Sequence, residues 1–504
     1  MSPADLDSRI LRTMPMYTRP YAAVVLAVFL LLAGSNAAVA QSTDPILDGS
    51  FWKDQGLTNV LPAWVENAQT KEGLFFAELD QKWTPEDSTT QYPGMLARHI
   101  FSLSAAYLMD GDESHLQNAS RALDFLIEHG WDEKHGGWYN AVTRSGEIVD
   151  PKKSLFMQIY ATTGLALYTI ATKDPRAQTY LERSRSFVEE HAWDQEYGGY
   201  VDALARDGTV QADHKDFSPQ LAPLSGYLLY LYPATRDSSV LRKAERIMDL
   251  TLTHMQNDEG WILERFARDW TFLPGESKND QINVGHNLEV AWLLLRLHAL
   301  TGDERYRREG LALTDQLLEK AFHEDTGAWR GDLNRKDPAE HSSTTTWWAH
   351  AYGNMLQLYA YRVTGKERYL DAFREGARFW NEHFIDQEYG GSPTRARLEG
   401  GTADGAKGKR TKTSYHSLEH SFLLYLYLDL WVNDESVSLH YRMTEPAGER
   451  LYPLPIEDLT PQVNRVTIDG TTQTPPESGP GWVPLPETGP VEVNVKLRSS
   501  PSRR

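Results

Sequence analysis

The chain of 504 residues contains no cysteine. This absence excludes disulfide bonds, thiolate metal ligands, a cysteine nucleophile and a lipid-modified N-terminal cysteine. Stability must therefore come from packing, and a composition of 40% apolar residues with 15 tryptophans can bury a large core. Length alone would suggest two to four domains, but the internal repeat described below favours one large domain with smaller additions.

Positive charge is also scarce. The chain carries 51 Lys and Arg against 70 Asp and Glu, which gives a formal net charge of −19. Such a surface repels polyanions, so we expect neither nucleic acid nor an anionic membrane as a partner. An acidic surface that keeps the protein in solution is the simplest interpretation.

Long apolar runs are missing except near the N-terminus. There, Arg19 precedes an apolar run at 21–33, and Ala-Val-Ala follows at 38–40. The run is shorter than the ~20 residues of a comfortable membrane span, and the order of its parts is typical of a secretory signal. We expect residues 1–40 to be a signal peptide cleaved near Ala40, giving a secreted or periplasmic chain without membrane contact. An uncleaved anchor is the alternative.

A glycine next to an aromatic residue recurs six times, at Gly73, Gly137, Gly199, Gly260, Gly327 and Gly391. The differences between successive positions are 64, 62, 61, 67 and 64 residues. Self-similarity at a nearly fixed period indicates one structural unit used repeatedly.

Most repeats contain a helix with one polar face, then a short hairpin, then a helix that is apolar nearly all round. The polar-faced helices are predicted at 115–129, 176–191, 239–255, 305–321 and 367–384, and the apolar ones at 95–109, 155–170, 219–232, 285–299, 347–363 and 415–431. Helices with one polar face suit an outer ring, and apolar helices suit an inner ring. We therefore predict an all-α (α/α)6 barrel with short β-hairpins over residues 41–432. An open helical solenoid is the alternative.

The character of the chain changes after this region. Residues 436–443, 464–469 and 491–496 alternate like strands, and Pro- and Gly-rich segments separate them. We predict a small β-rich C-terminal appendage over residues 433–504.

Polar residues are unusual on the apolar helices, yet they cluster near the N-terminal ends. They are Arg98, His99, Lys153, Gln158, His286, Glu289, Trp347, Trp348, His350, Tyr415, His416, Glu419 and His420. Burying such groups is costly unless they are paired or face a wet cavity. Because these ends of the inner helices meet at one mouth of the barrel, we expect a site there.

Two histidines stand three residues before a glutamate, His286 before Glu289 and His416 before Glu419. Residues at this spacing share one helical face, so the carboxylate can orient the imidazole. A neutral imidazole takes up and returns protons near neutral pH. Two such groups on opposite sides of a sugar carbon would move a proton from one face to the other. A structural role for each histidine is the alternative.

Other chemistries remain open at this point. The stretch from His416 to His420 also matches the H-x-x-E-H pattern of some zinc proteases, but the surrounding barrel is wrong for that class, and we expect no metal. Pairs among Glu289, Glu419, Asp150, Asp213 and Asp216 would suit a glycoside hydrolase or a lyase, for which the sequence does not give the carboxylate separation.

At these residues the chain resembles the N-acylglucosamine 2-epimerase superfamily, which includes cellobiose 2-epimerases and mannose-type aldose–ketose isomerases. The segments that carry the resemblance are 98–107, 135–158, Gly285-His-Asn-Leu-Glu-Val-Ala-Trp-Leu-Leu and Tyr415-His416. It spans roughly residues 50–432 and implies a cofactor-independent transfer of the sugar C2 proton through an enediolate. It also implies that His286 and His416 are the acid/base pair, that Glu289 orients His286, and that Arg98 holds the sugar.

We expect the remaining polar and aromatic side chains at the mouth to bind substrate; they are Trp347, Trp348, His350, Tyr415, Glu419, Lys153, Gln158 and Tyr139. Four residues at three places depart from the family pattern. Ala222 and Ser225 stand where a His and a Glu are usual, Tyr352 ends a segment that often reads Pro-Gln-Ala-Glu, and Glu419 stands where an Arg is usual.

The sequence thus predicts an exported sugar 2-epimerase or aldose–ketose isomerase that acts on a free sugar or on the reducing end of an oligosaccharide. A glycoside hydrolase or polysaccharide lyase on the same barrel and a non-catalytic sugar-binding protein are the alternatives.

Overall fold

The computed structural model describes residues 44–87, 89–453, 457, 461–473 and 481–499. The predicted signal peptide and its cleavage point lie outside the described residues. Within the described residues, no helix combines the length and the apolar character that crossing a bilayer requires.

Long helices alternate between two layers along the described chain. In order they are α1 (Gly49–Gln55, Gly56–Val60 and Leu61–Ala68), α2 (Pro93–Asp110), α3 (Glu113–Phe125 and Leu126–Gly130), α4 (Leu155–Thr172), α5 (Pro175–His191), α6 (Phe217–Pro223, Leu224–Leu228 and Leu229–Thr235), α7 (Ser238–Leu250 and Thr251–Met255), α8 (Val284–Thr301), α9 (Glu304–Ala321), α10 (Trp347–Thr364), α11 (Glu367–His383) and α12 (Tyr415–Tyr427 and Leu428–Val432). The even-numbered helices form the inner layer and the odd-numbered helices form the outer layer.

The two layers differ in burial as their sequences predict. In the inner helix α2, every residue from Pro93 to Met109 is buried. In the outer helix α7, burial is confined to residues spaced three or four apart, such as Val240, Ala244 and Ile247. Each inner helix packs on the next, and α12 packs on α2, so the inner layer is a closed ring. The predicted (α/α)6 barrel is confirmed, and the open solenoid is excluded.

Short strands join neighbouring repeats at the end of the barrel where the inner helices begin. They are β1 (Glu78–Leu79), β2 (Pro85–Asp87), β3 (Thr90–Gln91), β4 (Ala141–Thr143), β5 (Ile148–Asp150), β6 (Lys153–Ser154), β7 (Ala203–Leu204), β8 (Val210–Ala212), β9 (Lys215–Asp216), β10 (Arg265–Phe266), β11 (Gln281–Asn283), β12 (Phe322–His323), β13 (Ala328–Trp329), β14 (Asp332–Asn334), β15 (Thr344–Thr346), β16 (Arg395–Arg397) and β17 (Thr402–Asp404).

The strand before an inner helix pairs with a strand of the following repeat, as β3 does with β4, β6 with β7, β9 with β10, β11 with β14 and β15 with β16. A bridge between Leu79 and Gly408 links the last repeat to the first. The strands therefore close a second ring around the mouth.

The described C-terminal residues form an antiparallel sheet on the other end of the barrel. Its strands are β18 (Val437–Met443), β20 (Gln462–Ile468), β21 (Thr471–Gln473) and β23 (Val491–Arg498), in the order β18-β23-β20-β21, and β19 (Arg450–Leu451) pairs with β22 (Val483–Pro484). Strand β18 packs on α2 and α4, and Thr444 donates its N–H to the carbonyl of Thr172, the last residue of α4. Buried Glu457 accepts hydrogen bonds from Arg296 at 2.5 Å and Tyr359 at 3.0 Å. The contact with the last residue of α4 places this sheet at the end of the barrel opposite the mouth.

Candidate active site

A cavity of about 220 Å³ lies where the N-terminal ends of the inner helices meet. Its lining combines two imidazoles, a carboxyl group, a guanidinium group and aromatic rings. The lining residues are Arg98, Phe156, Tyr160, Ser218, His286, Glu289, Trp347, Trp348, Tyr352, Thr411 and His416.

The repeat determines which residues line the cavity. The sixth residue of an inner helix faces it at Arg98 of α2, Tyr160 of α4, Glu289 of α8 and Tyr352 of α10. A second set lies one helical turn earlier on the same faces, and it consists of Phe156, Ser218, His286 and Trp348. Ala222 holds the sixth position of α6 and contributes only a methyl group.

His286 is held on three sides. Its Nδ1 contacts Oε1 of Glu264, its ring stacks on Phe217 with centroids 3.9 Å apart, and its backbone N–H donates to Asn283 at 3.0 Å. Burial lowers the pKa of His286, but the attraction to Glu264 and Glu289 outweighs burial and the net direction is upward. The contact at Nδ1 leaves Nε2 as the ring nitrogen available to the cavity.

Glu289 lines the cavity but does not orient His286 through Nδ1, because Glu264 holds that position. Burial raises the pKa of Glu289, and hydrogen bonds from the side chains of Ser225 and Tyr352 oppose the increase. The predicted orienting role of Glu289 is therefore corrected in favour of Glu264. Glu289 stays close enough to His286 to favour the charged imidazole.

His416 has the opposite electrostatic environment. Burial lowers its pKa to about 4, and the nearby charge of Arg98 acts in the same direction. Its Nδ1 faces Oε2 of Glu419 at 3.7 Å. His416 is therefore neutral at neutral pH, whereas His286 is biased toward its protonated form.

Aromatic rings separate and flank the two histidines. The ring centroid of Trp348 lies 5.1 Å from that of His286 and 6.3 Å from that of His416. Trp347 also lies 6.3 Å from His416. Arg98 lies over the ring of Tyr160 at 3.5 Å and donates to the carbonyl of Thr411 at 2.8 Å. The predicted site residues Arg98, His286, Glu289, Trp347, Trp348 and His416 thus share one cavity.

Gln158 and His350 lie outside this cavity and hold hairpins instead. Each is the fourth residue of its inner helix, and each accepts the backbone N–H of a tryptophan, Trp138 at 2.8 Å and Trp329 at 3.1 Å. Gln220 and Asn287 make the same contact with Tyr200 and Ile262 in the repeats between them. The predicted substrate-binding role of Gln158 and His350 is therefore corrected to a structural role, which equivalent residues fill in other repeats.

Lys153 and Tyr139 belong to a second repeated structure. Buried Lys153 pairs with Asp132 at 3.4 Å, and Tyr139 accepts a hydrogen bond from Arg206, which also binds Asp132. The pairs Lys215–Asp194 and Lys407–Asp386 repeat this arrangement in other repeats. The side chains of Lys153 and Tyr139 thus bind protein groups beside the hairpin and do not line the cavity. Their predicted role in substrate binding is corrected accordingly.

Tyr415 and Glu419 lie directly behind His416. Both are buried, and the hydroxyl of Tyr415 donates to Oε1 of Glu419 at 3.1 Å. The prediction that they bind substrate directly is corrected, because neither lines the described cavity. His99 bonds Ser414 at 2.9 Å, and His420 bonds Asn354 at 3.1 Å.

Two groups of side chains in the described residues are candidate metal ligands. His420 points to Asn354 rather than toward His416, so the H-x-x-E-H segment does not converge on one point. Elsewhere in the described chain, ligand atoms of Asp202, His214 and Asp216 lie within 4.8 Å of one another. The carboxylate of Asp216 also pairs with Arg265 at 2.7 Å and with Lys278 at 3.1 Å. Positive side chains already neutralise that cluster.

Sequence reasoning missed Glu264, Phe156, Tyr160, Ser218 and Thr411. The sequence does contain a signal for Glu264. Asn140 follows the second glycine–aromatic signal and Asp202 follows the third, and Glu264 occupies the equivalent position after the fourth. The fourth repeat has one additional residue before that position, which hides the correspondence. The hairpin contacts of Gln158, Gln220 and Asn287 reveal it.

Comparison with known proteins places this geometry in context. The family model of N-acylglucosamine 2-epimerase matches residues 73–419. A cellobiose 2-epimerase from Bacteroides fragilis is 29% identical over 272 residues, which cover 52% of this chain and 68% of that protein. The human N-acylglucosamine 2-epimerase is 26% identical over 72% of this chain and 87% of its own length.

A solved structure has the same fold. The cellobiose 2-epimerase of Spirochaeta thermophila superposes with a TM-score of 0.69 at 24% identity, covering 77% of this chain and 99% of that one.

Proposed function

Because the chain belongs to the N-acylglucosamine 2-epimerase family, we propose that it is a sugar 2-epimerase or aldose–ketose isomerase in which His286 and His416 transfer the proton at C2. Its curated relatives are sugar epimerases, and the class of reaction follows from the family. The two histidine roles and the identity of the sugar are the proposal.

The observation that carries the proposal is the contrast between the two imidazoles in one cavity. The pKa of His286 is raised by Glu264 and Glu289 against the effect of burial, and burial lowers the pKa of His416 to about 4. One histidine is therefore prepared to donate a proton and the other to accept one. Pairs whose environments separate their pKa values are typical of acid and base roles.

The steps balance without a redox partner. With the sugar in its open-chain aldehyde form, Nε2 of His416 removes the C2 proton, and the electron pair moves into a C1–C2 double bond as oxygen O1 gains negative charge. Arg98 and protonated His286 are the cationic groups of the cavity that stabilise this enediolate. Return of a proton to the opposite face of C2, with the C1=O1 double bond re-formed, gives the epimer. Return of a proton to C1, with the hydroxyl proton of O2 passing to O1 and a C2=O2 double bond formed, gives the ketose.

The cavity suits a neutral sugar ring. Its volume of about 220 Å³ accommodates one hexose unit, and the indoles of Trp347 and Trp348 provide flat apolar surfaces for the faces of that ring. We propose a free neutral sugar or the reducing-end unit of an oligosaccharide as substrate.

Incubation with mannose, glucose and cellobiose, followed by NMR of the products, tests the function. The proposal requires a new epimer or ketose from at least one of these sugars, with formation stopped by His416→Gln. Release of new reducing ends from a polysaccharide, an unsaturated product that absorbs ultraviolet light, or binding without any product would each contradict it.

We also propose that the chain is exported, on the basis of the residues at 19–40 alone. Mass spectrometry of the protein recovered from a bacterial host would show a mature N-terminus near Gln41. Recovery of the intact N-terminus in the cytoplasm would contradict export.

A further inference from the structure

Glu419 and His416 present two unsatisfied polar atoms to each other. Oε2 of Glu419 lies 3.7 Å from Nδ1 of His416, and within the described residues neither atom has a hydrogen-bond partner. Both side chains are buried. A buried N–H or carboxylate oxygen is costly unless it is paired, and a relative shift of about 0.5–0.8 Å would bring these two atoms to N–H···O hydrogen-bond distance.

The other oxygen of Glu419 is already fixed. Oε1 accepts hydrogen bonds from the hydroxyl of Tyr230 at 2.6 Å and from that of Tyr415 at 3.1 Å. The two tyrosines come from α6 and α12, so the carboxylate is held from different sides of the barrel. This arrangement leaves Oε2 for His416.

We propose that Glu419 is a positioning residue that holds His416 in the tautomer protonated at Nδ1, with the lone pair of Nε2 directed into the cavity. The inference rests on the proposed function, in which His416 is the base. A carboxylate accepts hydrogen bonds and does not donate them, so it selects the ring nitrogen that carries the proton. When Nε2 takes up the C2 proton, the same contact becomes a charge-assisted hydrogen bond.

Other charged or titratable groups approach His416 from the surrounding helices. Arg98 of α2 acts against the imidazolium form, and Tyr352 of α10 lies 5.6 Å from the His416 ring. Trp347 and Trp348 contribute no charge. Glu419 is thus the neighbour that favours the protonated ring, and it opposes both burial and Arg98.

The variant Glu419→Gln gives a sharp test because the amide is not symmetric. Its oxygen would remain with the two tyrosine hydroxyls, which places the NH2 group against Nδ1 of His416. An amide N–H donates to the unprotonated nitrogen, so the ring would change to the Nε2-protonated tautomer. We expect kcat to fall by about 10²–10⁴-fold, the range that general acid–base catalysis contributes.

The tautomer is measured directly by two-dimensional ¹⁵N NMR of histidine-labelled protein, with the His416 signals assigned by their loss in His416→Gln. In the unaltered protein we expect a pyrrole-type Nδ1 and a pyridine-type Nε2 for His416, and the reverse in Glu419→Gln. This measurement needs no turnover, so it decides the role of Glu419 even if the proposed function fails.

Asp429→Asn is the matched control. Asp429 is a buried carboxylate further along α12, and it accepts the N–H of Gly49 at 3.0 Å, a bond that an asparagine oxygen retains. We expect this variant to keep the His416 tautomer and kcat within about twofold. An Nε2-protonated His416 in the unaltered protein, or a Glu419→Gln variant with unchanged tautomer and kcat, would overturn the inference.

Discussion

Glu264 contacts Nδ1 of His286 from a position 22 residues earlier in the chain, immediately before β10. The contact therefore depends on the hairpin that leads into α8 and not on the helix that carries the histidine. The neighbouring Glu289, one helical turn along α8, affects His286 only through its charge. The protonation of His286 therefore depends both on the hairpin that carries Glu264 and on helix α8, which carries Glu289.

Removal of the Glu264 charge should shift the alkaline side of the pH profile. The carboxylate raises the pKa of His286, and a protonated acid is present only below its pKa. Activity should therefore fall as pH rises through that pKa, and Glu264→Gln should move the fall to lower pH. Initial rates measured across about pH 5–10 would locate this alkaline limb. The range extends from about 1.5 pH units below to about 3.5 pH units above the unperturbed histidine pKa.

Glu276→Gln is the comparison for that experiment. Glu276 is about half exposed, and its carboxylate lies 3.8 Å from Arg265, the residue that follows Glu264. We expect its alkaline limb to coincide with that of the unaltered protein. Equal shifts in both variants would assign the effect to general charge and not to the contact at Nδ1.

The acid side of the profile should report His416. Because burial lowers its pKa to about 4, His416 stays unprotonated well below the ordinary histidine range. We expect kcat/KM to decline only as pH falls toward about 4, measured over the range in which circular dichroism shows a folded protein. A decline centred at the ordinary value of ~6.5 would assign the base to a different group.

His350 should be replaceable by glutamine without loss of activity. Glutamine holds the corresponding hairpin in the repeats of Gln158 and Gln220, so His350→Gln preserves an acceptor for the N–H of Trp329. We expect kcat and KM within about twofold of the unaltered values, measured by steady-state kinetics. A large increase in KM would restore the substrate-binding role that the sequence predicts.

The same variant should also be less sensitive to acid. Burial lowers the pKa of His350 to about 3, so between that value and ~6.5 the unfolded chain binds a proton that the folded chain does not. Stability is therefore lost as pH falls through this window. Denaturant unfolding at pH 7 and pH 5 should show a smaller loss for His350→Gln, and an equal loss would contradict this assignment.

Lys153→Met should damage folding and spare chemistry. Lys153 is buried and pairs with Asp132, and removal of one partner of a buried pair costs about 3–5 kcal/mol. Because Asp132 would still be bound by Arg206, we expect a loss at the lower end of this range. Urea unfolding should show a free energy of unfolding reduced by about 3 kcal/mol. Activity per folded molecule should be unchanged, and a stable but inactive variant would return Lys153 to the site.

The barrel could be predicted because its signals are periodic. The glycine–aromatic signal marks each hairpin, and the contrast between polar-faced and apolar helices separates the two layers. Arg98, His286 and His416 could also be placed together, because inner helices share one mouth. These inferences need only the direction of each helix.

The roles of individual side chains could not be predicted in the same way. Gln158 and His350 lie in the first turn of inner helices just as His286 does, and Lys153 lies in the strand directly before one. Their side chains nevertheless bind groups of neighbouring hairpins and not the cavity. Whether a polar side chain faces the cavity or a neighbouring backbone depends on a rotation of about one residue, roughly 100° around the helix axis. Glu264 was hidden for a different reason, because its hairpin carries one additional residue that shifts it out of register with the other repeats.

Deuterium incorporation at C2 tests the central claim most directly. A substrate sugar identified from mannose, glucose and cellobiose would be incubated in heavy water, and C2 would be followed by NMR in substrate and product. Proton transfer through two histidines predicts deuterium at C2 of the epimer, or at C1 of the ketose, with exchange lost in both His286→Gln and His416→Gln. Product that forms with its original C2 hydrogen still in place, or exchange that survives both substitutions, would contradict it.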